Sequence, residues 1–352
     1  MSEFRVNSVT NQNGSAGPQV CGISTFSGKS GVQIPSGSTV FRRQDGGGRG
    51  RGVFASGFSG ASPSPGNLVD TMDFIEIATT GDAVDFGDQS RSAYQQASVS
   101  SSTRGITIGG ANPSGSLSSM QYVTISSQGG GNDYGDLRQA TTHAGAASNN
   151  TRGIIGGGYN SPLYFNTIDF ITIATTGNSN EFGSLSENKW FAGNTRASAT
   201  RLLFIAGATP SSLNDIEFVE IATLGNSQDF GELVDGVAGY GMGCGNCQSP
   251  TRTVVMGGWD GSSDINDIQL ITFATKGNAT DFGDLLTTVR GGGSNSNTTR
   301  GILAGGRTPT QVNTIQFITF STTGDATNFG DLTSIRAFNC AGMSDNHGGL
   351  TQ

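Results

Sequence analysis

Few residue types that do chemistry stand in this chain. There are two histidines, His143 and His347, and four cysteines, Cys21, Cys244, Cys247 and Cys340. Cys244-Gly-Asn-Cys247 has the spacing of a metal-ligand pair, yet neither a second pair nor a nearby histidine accompanies it. With two histidines in Gly- and Ser-rich surroundings, no Ser-His-Asp arrangement can be assembled. Asp85-Phe86-Gly87, Asp229-Phe230-Gly231 and Asp281-Phe282-Gly283 spell a triplet that elsewhere holds a metal over phosphates. Here the triplet recurs without the other parts of such a site. The expectation is therefore no catalytic residue, no cofactor and no metal, with each Phe an anchor between sheets and each Gly permitting a tight bend.

The recurrence is the main signal. An aromatic-Gly pair falls at Phe86, Tyr134, Phe182, Phe230, Phe282 and Phe329, at steps of 48, 48, 48, 52 and 47 residues. An Arg opening an apolar run falls at Arg51, Arg104, Arg152, Arg201, Arg252 and Arg300, at steps of 53, 48, 49, 51 and 48. One unit reads as four strands. A small polar segment (144–148) ends at Asn149-Asn150, and an apolar strand opened by Arg152 is stopped by Gly156-Gly157-Gly158. A β-branched and aromatic strand covers 167–174, and a Gly-containing hairpin at 176–178 leads to a short strand over 181–185. The apolar phase of the third strand shifts between Phe170 and Ile171, which predicts a bulge or a strand covered on both faces.

Four antiparallel strands in about 48 residues match one blade of a β-propeller. The order of Arg, Gly-ended strand, alternating strand and aromatic strand resembles the kelch repeat, with Phe or Tyr before Gly where kelch has Trp. Arg51–Ala55 is a second strand with nothing before it, and Arg336 to Gly342 is a first strand with nothing after it. The fold expected is all-β: a six-bladed kelch-like propeller over 43–352, closed by one C-terminal and three N-terminal strands and preceded by an arm over 1–42. Joining the ends removes a free sheet edge. Phe74, Phe170, Phe218 and Phe317 are expected to bury a face between sheets with the marker aromatics, each contributing about 1.5–3 kcal/mol. The six arginines should share one end of the ring. They either bind an anion around the channel mouth or bond turn carbonyls and the carboxylates Asp85, Glu181, Asp229 and Asp281, and the second role is the one expected.

Composition agrees. The chain has 352 residues with 56 Gly and 9 Pro, but only 34% hydrophobic and 13% charged residues. Gly keeps no three-residue period, which excludes collagen. The net charge of −8 argues against nucleic-acid binding, which needs a basic face. No apolar stretch is long enough for a membrane helix, and residues 1–7 show no secretory signal. The Gly46-Gly47-Gly48-Arg49-Gly50-Arg51-Gly52 run reads as a flexible lead-in.

While the frame repeats, the loops between second and third strands do not. They should gather at the end opposite the arginines, carrying Phe58, Tyr159, Tyr164, Phe165 and Trp259 as candidate contact residues. Upstream, Phe4-Arg5-Val6-Asn7-Ser8-Val9-Thr10-Asn11 looks extended, with Val20 and Ile23 further along. This opening resembles the N-terminal stretch of virion structural proteins of marine cyanobacterial phages. The unit Thr167-Ile168-Asp169-Phe170-Ile171-Thr172-Ile173-Ala174-Thr175-Thr176-Gly177-Asn178 is similar to repeats in such proteins. The resemblance implies a virion location, in several copies per particle. An arm using Phe4, Val6, Val9, Val20 and Ile23 would dock on capsid or tail proteins, since an extended segment can add a strand to a partner sheet. It implies a displayed propeller whose partners are other virion proteins or a host-surface glycan. A lectin-like propeller acting as the receptor-binding protein is the alternative.

Overall fold

The computed structural model describes residues 50–60, 67–190, 195–209, 211–234, 245–260, 262–337 and 341–350. The expected arm over 1–42, with Phe4, Val6, Val9, Val20 and Ile23, lies outside the described residues, as do Cys21, Cys244 and Cys340. Six four-stranded antiparallel sheets stand around an axis as a six-bladed β-propeller. The third blade shows the pattern, running outward through Gly145–Ser148, Arg152–Gly156, Thr167–Thr172 and Asn180–Ser184. In the first blade the inner strand comes from the far end of the chain. Ala341–Ser344 pairs with Arg51–Ala55, followed outward by Thr71–Glu76 and Val84–Asp88. The one-plus-three closure is as expected, but the closing strand starts five residues later. Arg336 is not in it. That side chain is fully buried against Asp73 at 2.9 Å, ahead of the closing strand, where Ala337 bridges Phe58.

Of the two causes expected for the phase shift in the third strand, cover on both faces is the one found in that strand. Ile168 and Asp169 are buried side by side because the strand lies between two neighbouring blades. The bulge belongs to the outer strand: Ile168 faces Gly183 and Asp169 faces Glu181, leaving Phe182 as the extra residue. All six marker aromatics occupy this position and are at most 3% exposed. Their carbonyls accept a hydrogen bond from the hairpin glycine of the next blade at 2.8–3.0 Å, from Gly129 on Phe86 round to Gly81 on Phe329. The marker glycine lets that hairpin approach. A Cβ on Gly183 would stand 2.1 Å from the Gly225 carbonyl oxygen.

Each of the six arginines reaches to the next blade. Nη1 donates to the carbonyl ending its third strand: Arg51 to Ile125, Arg104 to Ile173, Arg152 to Ile221, Arg201 to Phe273, Arg252 to Phe320 and Arg300 to Ile77, at 2.7–3.2 Å. Five guanidiniums also lie over the third-strand aromatic of their own blade, at 4.3–4.7 Å from Phe74, Tyr122, Phe170, Phe218 and Phe317. These rings are therefore mostly half-buried under a guanidinium; only Phe218 among them is fully buried between sheets. The expected carboxylate partners are corrected too. Asp85, Glu181, Asp229 and Asp281 sit exposed on outer strands, and the acids that pair are Glu76 with Arg51 and Glu220 with Arg201.

The ends meet at a split turn. In uncut blades, Asn149 and Asn297 accept the backbone N–H of Arg152 and Arg300 through Oδ1 at 2.8 and 2.7 Å. At the seam Asp345 does this for Arg51 at 2.7 Å, and burial raises the pKa of its carboxyl. Asp345→Ala should cost about 1–2 kcal/mol in urea unfolding, because a buried donor loses its acceptor. Asp345→Asn, which keeps that oxygen, should unfold within about 0.5 kcal/mol of the natural chain. Gly183→Ala should cost about 1–3 kcal/mol by the same measurement, through the clash with the next blade alone.

Candidate functional site

The second strand starts at its arginine and ends at the variable loop, so these loops lie at the end of the blades opposite the arginines. They are built as β-hairpins. In blades two, three and six a separate two-residue ladder extends the sheet, and in blades four and five the long strands run straight into it. The loops after the outer strands emerge at the same end and bridge to the next blade's hairpin, as in Thr142 with Tyr159 and Trp190 with Ala208.

The five candidate residues divide. Phe58 is 3% exposed, edge-on to Tyr94 with ring centroids 6.0 Å apart, and donates its N–H to Ala337. It is a core residue and leaves the contact surface. Tyr159 and Tyr164 face one another across the third blade's hairpin, 5.1 Å apart, with Phe165 next to them. All three are half-buried, while Leu163 at the tip is 61% exposed. Trp259 is two blades away. The Arg290 guanidinium lies 4.3 Å over its ring and contacts Asp264 at 3.0 Å, and burial lowers the Arg290 pKa. The four remaining candidates thus form two separate clusters, not one pocket. Exposed Val234, Leu286 and Ile335, in the loops after the outer strands, add apolar surface between blades.

Sequence reasoning missed a ring of buried polar residues beneath these loops. Asp73, Gln121, Asp169, Glu217, Gln269 and Gln316 occupy one third-strand position, each just after a buried Met or Ile. Five of them accept a backbone N–H from the preceding blade's loop at 2.8–3.2 Å, and Asp169 does so through Ser179. Only the six-fold recurrence of a polar residue inside an apolar strand marks them. Around this ring, Arg138 pairs with Asp169 and Glu181, and fully buried Lys189 pairs with Asp215 and Glu217. Burial pushes the Glu217 carboxyl up, but Lys189, the Ser227 hydroxyl and the Ser186 backbone N–H together hold it down at about 2.

Neither histidine nor Cys247 is placed for reaction. Cys247 is fully buried with Sγ 3.1 Å from the carbonyls of Asn295 and Ile302, and burial pushes its thiol up to about 12. Among the described residues no group of three His, Cys, Asp or Glu could hold a metal. His143 stacks edge-on to Trp190 at 4.5 Å. His347 Nε2 faces the Ser100 carbonyl at 3.1 Å and Nδ1 faces Gln248 Nε2 at 2.6 Å, which fixes a neutral ring protonated at Nε2. Burial lowers the two imidazoles to about 3 and about 4. Comparison with protein-family models and with curated proteins finds no match.

Since both imidazoles are depressed on folding, their neutral forms contribute stability that is complete above the ordinary pKa of 6.5. It is lost as pH falls toward 4. Unfolding midpoints should drop between pH 6.5 and 4. His347→Gln should flatten that drop by an amount on the order of 2–3 kcal/mol at pH 4.

Proposed function

We propose that this chain is a non-enzymatic binding module of a phage virion, displaying the hairpin end of its propeller for contact. The observation that carries this is how the side chains are used. At the arginine end and between the blades, the arginines, marker aromatics and polar third-strand residues are spent on neighbouring blades. At the hairpin end the aromatic clusters differ from blade to blade and leave apolar surface in water. Among the described residues four of the six exposed large apolar side chains, Leu163, Val234, Leu286 and Ile335, lie at this end, with Val84 and Leu224 single at the other, and such a gathering marks contact sites more than catalytic ones.

The rim offers a partner little. Every outer strand carries one or two exposed carboxylates in the pattern around its aromatic-Gly pair. Charges on an edge strand oppose strand addition, and a negative rim repels nucleic acid. Contact with other proteins or with a host-surface glycan is accordingly assigned to the hairpin end. Attachment to capsid or tail is assigned to the arm over 1–42, on the resemblance of residues 4–11 to virion proteins.

The two assignments separate in one experiment. A chain lacking residues 1–42 should fall at least about tenfold in incorporation into particles. The double variant Leu163→Ser/Tyr164→Ser should incorporate normally and lose binding to host cells or to a virion partner, for which a tenfold loss corresponds to about 1.4 kcal/mol. Undiminished incorporation without the arm overturns the virion assignment. Full binding by the double variant and by Trp259→Ala overturns the hairpin end as the contact face.

A further inference from the structure

Down the axis, the six inner strands present one layer of side chains at their second residue: Ser98, Ala146, Arg196, Asn246, Ser294 and Gly342. Four of these are small, and the space they leave is taken by Arg196 from the fourth blade. Its Nε donates to the Asn246 carbonyl at 2.6 Å, Nη1 to the Thr195 carbonyl at 2.7 Å and Nη2 to Ser294 Oγ, so the side chain reaches across to the sixth blade. A guanidinium has five N–H donors, and two remain without a bond among the described residues.

Among the described residues no carboxylate pairs with this charge. Every other side chain lining the axial cavity is uncharged, and His347 at its edge is held neutral by its two partners. Burial lowers the Arg196 pKa to about 10, although its three acceptors are all neutral. A cation withdrawn from water without an anion is costly, and in proteins such charges are paired. Donors converge there as well. Ser294 Oγ already accepts from Arg196 and from the Asn246 N–H at 3.1 Å, which leaves its own hydrogen to donate. The Asn246 amide beside Ser294 is fully buried outside the cavity lining, and neither its nitrogen nor its oxygen has a partner among the described residues. The cavity measures about 30 Å³. That is room for about two waters, or for one monatomic or planar anion.

We propose that the axial cavity is a binding site for a small inorganic anion, of halide or nitrate size, held by the Arg196 guanidinium and the Ser294 hydroxyl. The anion supplies the missing charge and ties the fourth blade to the sixth beside the closing strand of the first. A site of this size should discriminate against sulfate and gluconate. At the arginine end the C-terminal turn Gly348–Leu350 follows His347 of the lining, and its Gly348 and Gly349 pack directly on the backbone of Ser249 and Ser148.

The test is thermal unfolding of the full chain while chloride or nitrate replaces gluconate at constant ionic strength. The midpoint should rise saturably with chloride and nitrate and stay flat with sulfate. Arg196→Gln should show no response and should equal or exceed the natural chain in gluconate, where the latter's charge is bare. A crystal grown in bromide should show an anomalous peak within hydrogen-bond distance of the Arg196 guanidinium. Equal responses to all four anions, a saturable response retained by Arg196→Gln, or a bromide-soaked cavity without a peak would each overturn the site. The crystallographic arm uses the natural sequence, so a variant that fails to fold does not rescue the proposal.

Discussion

The hairpin glycine of each blade donates its N–H to the carbonyl of the aromatic residue bulged from the blade before it, and the spacing of the whole ring follows from that approach. The bulge supplies two things at once. It turns the aromatic ring inward, edge-on to the third-strand aromatic in five blades with a Phe pair or a Tyr pair near 6 Å, and it leaves its glycine where the neighbouring backbone needs room. No residue with a Cβ fits there unless the next blade moves. The arginine from each second strand then rivets the same two blades nearer the axis, and the buried polar residue of the third strand does so at the opposite end. Three contacts at different heights and radii fix both the distance and the tilt of each blade. One can be weaker without consequence: Arg252 has Leu270 where other blades offer a ring, and it keeps its bond to Phe320.

Most of this frame was legible because repetition turns weak local signals into strong ones. A single aromatic-Gly pair or a single Arg opening an apolar run says little, whereas six of each in step specify blades, order and closure. What stayed illegible has a common cause. Asp73 and Glu217 read locally as interruptions of an apolar strand, since burial between blades depends on partners some 30 or 260 residues away in the chain. The arginines' acid partners were misassigned for the same reason: Asp85 and Asp229 are near in the repeat, but the outer strand is too far from the second strand to reach. Phe58 reads as a surface anchor because its loop is irregular in sequence. In space it covers the seam near Ala337, a contact that exists only once the two chain ends have met.

A propeller blade has two edges to protect, and this chain treats them differently. On the inner edge, hydroxyls from the adjacent blade occupy the backbone: Ser148 Oγ accepts from the Ser100 N–H and donates to the Ser100 carbonyl, and Ser100 repeats this with Ser344. These hydroxyls explain the small polar composition of the first strands, where no larger residue would fit six times around one axis. On the outer edge, solvated carboxylates take over, and they account for much of the acidic balance. Neither edge is left to pair with another chain.

This division leaves the two ends unequal. At the arginine end every turn is short and carries its own acceptor, so that Asn149, Asn297 and Asp345 serve one geometry whether the chain is continuous or cut. A change there would disturb two blades. At the hairpin end, by contrast, each ladder extends beyond the residues that bind blade to blade, so its tip can vary in length and composition at little cost to the ring. Leu163 and the tyrosine pair beneath it differ from Trp259 under Arg290 for that physical reason. The end that tolerates variation is the end at which a rigid ring can carry a specific contact, and four of the six exposed large apolar side chains among the described residues lie there.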